Sequence, residues 1–197
     1  PWIDTRLSDE EMRFLHQAIS DAKGRRVAFL DDKDNWFFET ALKKLTERLF
    51  YDDWDNYRKF HLRRDEFPSE FEMDRYWVNY QKQHEFNPLH GHDGLYSFVV
   101  FIKIPTHGRD QHVLNYEVSG VFKVASDFMF VWSERDNTDS FLRTKNFTLS
   151  PEDEGRMLFF PAWLQHMVYP FYECEEERVT ISGNIRLGVP KNMEKAQ

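Results

Sequence analysis

Apolar residues recur at helical spacing through the first 70 residues of the chain. The segment 8–11 (Ser-Asp-Glu-Glu) has the capping-box pattern that starts a helix. Apolar residues follow it at intervals of three and four, at Met12, Leu15, Ile19 and Ala22. A second periodic stretch runs from about Asn35 to Phe60 and carries Phe38, Leu42, Leu45, Leu49 and Trp54. These patterns predict two helices, with a short strand over residues 26–30 between them.

From about Asp74 onward, short runs of β-branched and aromatic residues alternate with turn signals. The runs at 76–81, 96–104, 127–133, 146–149, 157–160, 166–170 and 178–187 predict strands of an antiparallel sandwich or barrel. Helices followed by strands favour an α+β fold, in which a helical buttress (1–70) packs on a β core (75–187). The length of 197 residues fits a single domain.

Composition and charge narrow the function further. Aromatic residues make up 17% of the chain, which is enough for a core and for the walls of an apolar cavity. The net charge of −8, without a cluster of lysines or arginines, argues against nucleic-acid binding. Cys174 is the only cysteine, so neither an intramolecular disulfide nor a cysteine-based zinc site can form. No apolar run is long enough to span a membrane, so we expect a soluble, intracellular protein.

Three of the histidines have the spacing of a metal site. His90 and His92 stand two residues apart, so that on an extended strand both imidazoles project from one face and can bind one cation. His166 follows a turn at Gly155, an apolar run and a second turn at Pro161. Such a connection brings a residue back to a distant strand, where the ligands of a β-barrel converge. The sequence therefore predicts a metal site at these three histidines.

A second pair of residues is suited to binding a carboxylate. Arg178 lies twelve residues after His166, and Thr180 follows it at the i, i+2 spacing that places both on one strand face. The guanidinium can donate two parallel hydrogen bonds to a carboxylate, and the hydroxyl can donate a third. Taken alone, an arginine such as Arg178 is more often a surface salt-bridge partner, here of Glu175 or Glu176.

These motifs resemble those of the 2-oxoglutarate- and Fe(II)-dependent dioxygenase superfamily. The similar segments are 87–92 (Asn-Pro-Leu-His-Gly-His), 160–166 (Phe-Pro-Ala-Trp-Leu-Gln-His) and 178–185 (Arg-Val-Thr-Ile-Ser-Gly-Asn-Ile). The resemblance covers about residues 75–187 and is strongest for a prolyl-4-hydroxylase-like branch with a His-x-His motif, which includes uncharacterised proteins of marine cyanophages. It implies a single oxygenase domain with a double-stranded β-helix (jelly-roll) core, located in the cytoplasm, or in the host cytoplasm if the chain is phage-encoded.

The resemblance also implies a reaction and roles for particular residues. Iron(II) would be held by His90 and His166, and the C5 carboxylate of 2-oxoglutarate would be bound by Arg178 with help from Thr180. Decarboxylation of 2-oxoglutarate by O2 would be coupled to hydroxylation of a C–H bond in a peptide, such as a prolyl side chain, or in a small molecule. Neither a nucleic acid nor a membrane is expected as a partner.

The third metal ligand departs from the pattern of most of the superfamily. A carboxylate usually stands where this chain has His92, giving two histidines and one carboxylate around iron. Asp93 could replace His92 only if the strand were distorted, because in a regular strand it points to the opposite face. We therefore expect His92 to be the ligand, with Asp93 as the alternative.

Two other interpretations of the motifs stay open at this point. The spacing of Gly155, Pro161 and His166 also fits the second motif of cupins, which are metal-binding proteins or enzymes that do not use 2-oxoglutarate. Against a cupin, Tyr96 stands where the first cupin motif has a glutamate. The second interpretation is a β-sandwich binding protein whose histidines are incidental.

Overall fold

Two antiparallel sheets and a few helices make up the chain. The structure is a computed structural model that describes residues 2–22, 27–57, 71–114, 123–135 and 140–188. The strands are β1 (Ile3–Arg6), β2 (Val27–Phe29), β3 (Phe71–Gln81), β4 (Asn87–His90), β5 (Tyr96–Lys103), β6 (Phe128–Arg135), β7 (Ser140–Phe147), β8 (Arg156–Pro161), β9 (Gln165–Val168) and β10 (Arg178–Leu187). The helices are α1 (Asp9–Asp21), α2 (Lys43–Tyr57) and the short α3 (Gly108–Gln111).

The two sheets differ in the number and the order of their strands. One has six strands in the order β1-β8-β5-β10-β3-β2, and the other has four in the order β4-β9-β6-β7. Every pairing between adjacent strands is antiparallel. The prediction of a mostly β chain with few helices is confirmed. Within the described ranges, no helix combines the length and the apolar composition needed to cross a bilayer.

Strand β5 shows why the core has two parts. Its residues are buried on both faces, and successive side chains point in opposite directions. Phe98 and Val100 join the cluster between the six-stranded sheet and the helices, whereas Val99 and Phe101 join the cluster between the two sheets. The uninterrupted apolar run at 98–102 therefore indicates a strand in the middle layer of the fold. The helices pack on one side of this layer and the four-stranded sheet on the other.

The N-terminal helix begins where the capping box predicts. The backbone N–H of Glu11 donates to the Ser8 hydroxyl (3.3 Å), and the backbone N–H of Ser8 donates to the Glu11 carboxylate (2.7 Å). Leu15 is the fully buried residue of α1. The second predicted helix is a 3₁₀ turn (Lys33–Asn35), a π-helical turn (Phe38–Leu42) and α2 in succession. Its predicted last turn, at residues 58–60, lies outside the described residues.

Strands β1, β3, β4 and β7 depart from the sequence prediction: β1 and β4 were not among the predicted runs, and β3 and β7 begin earlier than predicted. Residues 3–6 were not predicted as a strand, yet β1 pairs with β8, from Ile3 opposite Phe159 to Arg6 opposite Arg156. Four residues are too few for a periodic signal, and this strand depends on its partner. Strand β7 begins at Ser140, six residues before the predicted run, because its exposed first part carries its apolar residues, Phe141 and Leu142, side by side and not in alternation with polar ones.

Gly183 marks the tightest contact inside the six-stranded sheet. It lies in β10 opposite Tyr76 of β3 and Phe98 of β5. A Cβ atom at this position would lie 2.6 Å from the Phe98 ring and 2.7 Å from Tyr76 Cβ. The absence of a side chain therefore lets two large residues meet across the central strand.

We predict that Gly183→Ala lowers the free energy of unfolding by about 1–3 kcal/mol, because the Phe98 ring must move in a filled core. Urea denaturation of the metal-free protein measures this change. Gly91→Ala is the control, since its Cβ would meet the nearest atom, the carbonyl oxygen of Ala162, at 3.4 Å. Equal midpoints for Gly183→Ala and the unmodified protein would contradict the packing described here.

Candidate functional site

Three histidines from distant parts of the sequence meet at one end of the four-stranded sheet. The ligand nitrogens of His90, His92 and His166 all lie within 4.8 Å of one another. The Nε2 atoms of His92 and His166 are 3.3 Å apart, and the ring centroids of His90 and His166 are 4.2 Å apart. In the described part of the chain, these histidines are the one group of three or more histidine, cysteine, aspartate or glutamate side chains that lie close enough together to hold a metal ion.

Two neighbouring strands position two of these histidines. His90 is the last residue of β4 and lies directly opposite His166 of β9 in the antiparallel register. His166 is buried, and its ring packs against Phe128 and Phe160, with centroid distances of 5.5 and 5.1 Å. The apolar run before His166 therefore supplies one wall of its imidazole through Phe160, and β6 supplies the other through Phe128.

The third histidine reaches the cluster by a different route from the one predicted. Strand β4 ends at His90, so the expectation that His90 and His92 share one strand face is wrong. The backbone N–H of His92 donates instead to the carbonyl oxygen of Ala162 (2.9 Å), in the turn that follows β8. This hydrogen bond turns the chain toward the cluster. Asp93, the alternative ligand, is exposed and does not belong to the group.

Backbone carbonyl oxygens select the tautomer of two imidazoles, that is, which ring nitrogen carries the hydrogen. His90 Nδ1 donates to the carbonyl oxygen of Pro88 (2.6 Å), and His166 Nδ1 donates to that of Leu164 (3.2 Å). Because a carbonyl oxygen can only accept, the proton resides on Nδ1 and the Nε2 lone pair is left for a cation. This arrangement is typical of metal-binding histidines, whose second nitrogen is usually held by a hydrogen bond.

Burial keeps two of the imidazoles uncharged. It lowers the pKa of His166 to about 3 and the pKa of His92 to about 4, and the neighbouring His90 adds to both shifts. Both rings are therefore neutral near pH 7, and no proton has to leave before they bind a cation. Three imidazole donors suit iron, zinc, nickel or copper, so the donor set fits a divalent transition metal.

A cavity of about 570 Å³ adjoins the three histidines. One part of its wall is apolar and comes from the core between the sheets, including Phe101, Phe128 and Leu149. The other part is polar and comes from two paired strands, β3 and β10. Its members face one another across the sheet as Trp77 and Ser182, Asn79 and Thr180, and Gln81 and Arg178.

Arg178 is a fully buried cation within this polar wall. Its side chain is 1% exposed, so the alternative of a surface ion pair with Glu175 or Glu176 is wrong. Glu175 accepts from Gln83 (2.6 Å), and Glu176 pairs with Lys103 (2.5 Å). Thr180 lines the same cavity two residues further along β10, as the i, i+2 spacing predicts.

Arg178 forms no ion pair with a residue that the structure describes, although the Asp127 carboxylate is close enough to offset part of the fall in the Arg178 pKa that burial causes. Its guanidinium donates to neutral acceptors only, namely Ser126 and Gln81, and its Nε–H is buried without a partner. Burial lowers the pKa of Arg178 to about 10, which still leaves the group charged at neutral pH. A buried cation without an ion pair and with an unpaired donor has the chemistry to hold an anion, because an anion would offset part of the cost of its burial.

The sequence did not indicate Gln81 or Ser126. Gln81 could have been found from the pairing register, because it shares a strand face with Asn79 and lies opposite Arg178. Ser126 is 52 residues away from Arg178 along the chain and has no local pattern that connects the two.

Sequence and structure comparisons give consistent results. The sequence model of a family described as putative 2OG-Fe(II) oxygenase matches residues 75–184, more than half of the chain. A search of curated protein sequences finds no match. Among solved structures, the chain is similar to a prolyl-4-hydroxylase of Pseudomonas putida, with 13% identity and a TM-score of 0.53 over 95% of this chain and 88% of that one. At this identity the likeness concerns the fold alone.

Two further structures are less similar. HygX from Streptomyces hygroscopicus, solved with nickel and 2-oxoglutarate bound, has 11% identity and a TM-score of 0.47 over 94% of this chain and 81% of that one. An oxidoreductase of the 2OG-Fe(II) oxygenase family from Burkholderia pseudomallei has 12% identity and a TM-score of 0.39 over 69% of this chain. The alignment spans 52% of the Burkholderia chain, about half of its length. TM-scores this low support no argument about the site.

We predict that each of His90→Ala, His92→Ala and His166→Ala weakens binding of Mn(II) or Zn(II) by more than about 100-fold, since loss of a residue that merely orients a ligand already costs about 10–100-fold. Competition with a chelator measures the affinity. Asp93→Asn is the matched control and should bind metal as the unmodified protein does. Loss of metal from Asp93→Asn, with retention in His92→Ala, would show that the carboxylate is the ligand.

Proposed function

The chain belongs to the putative 2OG-Fe(II) oxygenase family, and from this premise we propose that it hydroxylates a substrate C–H bond while 2-oxoglutarate is oxidatively decarboxylated. The proposal includes a single oxygenase domain whose two facing sheets form a double-stranded β-helix buttressed by the N-terminal helices. The fold likeness to the prolyl-4-hydroxylase of Pseudomonas putida supports this architecture.

One observation carries the proposal beyond family membership. A cluster of three histidines that could hold a metal ion and a buried arginine with an unpaired Nε–H line the same cavity. A molecule that chelates a metal at one end and carries a carboxylate at the other would satisfy both. 2-Oxoglutarate has this chemistry, because its keto acid can chelate and its C5 carboxylate remains free.

The metal in this proposal is iron(II), held by His90, His92 and His166. Iron bound there would supply the activation of oxygen that oxidative decarboxylation and hydroxylation require. Replacement of the usual carboxylate by His92 makes the donor set neutral, so the bound metal would keep about one more unit of positive charge. That charge favours an anionic chelator such as a keto acid.

Arg178 and Thr180 have the task of orienting the co-substrate. The Nε–H of Arg178 and the Thr180 hydroxyl would donate to the C5 carboxylate, within a wall that excludes water. Because the guanidinium is already held by Ser126 and Gln81, little conformational freedom is lost when the carboxylate binds.

The substrate is proposed to be a peptide, such as one with a prolyl side chain, or a small molecule. The cavity volume of about 570 Å³ is within the range of about 300–1,000 Å³ usual for ligand pockets. Arg178 is the one arginine or lysine among its lining residues in the described part of the chain, and the proposal already assigns it to the co-substrate. A substrate without an anionic group fits the remaining wall.

The cupin alternative receives no support from the surroundings of Tyr96. This residue stands at the spacing of the cupin glutamate, but its ring is buried in the core cluster on the helical side of the six-stranded sheet. A cupin also has no use for a buried cation such as Arg178. The family match points away from it as well.

We predict that Arg178→Ala weakens binding of 2-oxoglutarate to the metal-loaded protein by at least about tenfold, because truncating one partner of a buried charge pair costs about 2–5 kcal/mol. Metal content should stay the same. Thr180→Val should cause a smaller loss, since it deletes one hydroxyl beside a retained ion pair. Calorimetry measures the affinities, and conversion of 2-oxoglutarate to succinate should fall in the same order.

Arg186→Ala is the matched control for this experiment. Arg186 lies in the same strand as Arg178 but is exposed and pairs with Glu72 (2.7 Å), so its loss should not affect co-substrate binding. An unmodified protein that holds metal but neither binds nor decarboxylates 2-oxoglutarate would show that the proposed function is wrong.

A further inference from the structure

Ser126 occupies a strained and fully enclosed position behind the guanidinium of Arg178. It lies in the turn before β6, is 0% exposed and has a φ angle of 71°, which is unfavourable for a residue with a side chain. Its backbone N–H donates to the carbonyl oxygen of Pro170 (2.8 Å), and its hydroxyl oxygen lies 3.3 Å from that of Thr106. Such strain persists only where the surroundings enforce it, and it often marks a functional site.

Both oxygen atoms of Ser126 bind the same nitrogen of Arg178. Nη2 donates to the backbone carbonyl oxygen (2.8 Å) and also to the side-chain hydroxyl. The other contacts are a longer hydrogen bond from Nη1 to Gln81 Oε1 (3.4 Å) and the Phe171 ring, whose centroid lies 5.2 Å from the guanidinium carbon. Ser126 therefore provides the shortest hydrogen bonds that orient the cation.

The carboxylate of the next residue, Asp127, accepts its hydrogen bonds from other side chains than Arg178. Asp127 is buried, but its Oδ1 accepts from His112 Nε2 (2.9 Å) and its Oδ2 accepts from Asn146 Nδ2 (3.1 Å). It forms no hydrogen bond and no ion pair with Arg178 within the described residues. Asp127 still interacts electrostatically with Arg178 and offsets part of the fall in the Arg178 pKa, but the groups that hold the guanidinium by hydrogen bonds are neutral.

We propose that Ser126 is a positioning residue that determines selectivity for a keto acid with a second carboxylate. It fixes the guanidinium of Arg178 through neutral acceptors rather than through an ion pair, so that the cation can pair with the distal carboxylate of the co-substrate. This inference rests on the proposed function. Its consequence is that the identity of residue 126 controls the preference for 2-oxoglutarate over 2-oxobutyrate, which has the same keto acid but ends in a methyl group.

The test compares the two keto acids in three variants. Ser126→Gly removes the hydroxyl but keeps the carbonyl and tolerates the positive φ angle. Ser126→Asp places a competing carboxylate against Arg178, and Ser126→Asn has nearly the same size without the charge. Dissociation constants are measured by calorimetry on anaerobic, Fe(II)-loaded protein. Thermal unfolding and metal content establish that each variant is folded and loaded.

The ratio of the two dissociation constants is the decisive quantity. We expect Ser126→Gly to reduce the preference for 2-oxoglutarate by about 2- to 10-fold, the net effect of one hydrogen bond. Ser126→Asp should reduce it by at least about 30-fold, because the buried charge is then already paired. Ser126→Asn should resemble Ser126→Gly. In all three variants the affinity for 2-oxobutyrate should stay the same, which a general loss of structure would not produce.

Each outcome bears on a different claim. If the unmodified protein prefers 2-oxoglutarate and the ratio is the same in Ser126→Asp and Ser126→Asn, the role of Ser126 is refuted while the proposed function stands. If Ser126→Asp does not fold, an unchanged ratio in Ser126→Gly refutes it equally. If the unmodified protein binds neither keto acid, the proposed function itself is wrong.

Discussion

The candidate site depends on the burial of one positive charge that forms no ion pair within the described part of the chain. Arg178 is 1% exposed, and its charge must be stabilised by hydrogen bonds to neutral groups or by a ligand. Removing a cation from water is costly, and hydrogen bonds to Ser126 and Gln81 offset only part of that cost. The remainder is available to stabilise a bound anion. The unpaired Nε–H is thus the clearest sign that the cavity is a binding site.

The arrangement of the sheets explains how this charge comes to lie near the histidines. Strand β10 is an inner strand of the six-stranded sheet. The side chains of Arg178 and Thr180 lie on the face of this strand that lines the cavity, toward the four-stranded sheet. That second sheet carries His90 and His166 on adjacent strands. Because the two sheets face each other across an aromatic core, the histidine cluster and the polar wall that contains Arg178 share one cavity. The two sheets thus fix the position of the three histidines relative to Arg178.

The parts of the site that follow strand periodicity could be predicted from the sequence. Arg178 and Thr180 line the cavity together because side chains alternate along β10, and the apolar run before His166 identified β8. The route of His92 could not be predicted, since it depends on a hydrogen bond to Ala162 across the fold. Ser126 was missed for the same reason, because its contact with Arg178 has no local signature. Strand β1 was not predicted, and strand β7 was predicted too short. Short or exposed strands such as these have no apolar pattern of their own.

The central claim is that one cavity binds a metal through three histidines and a keto acid that also reaches Arg178. Anaerobic titration of the Fe(II)-loaded protein with 2-oxoglutarate tests it most directly, because a keto acid chelated to iron(II) produces a weak visible charge-transfer band. The account predicts a band that saturates at one equivalent of 2-oxoglutarate per bound iron. Protein that binds iron but develops no band at saturating 2-oxoglutarate would contradict it.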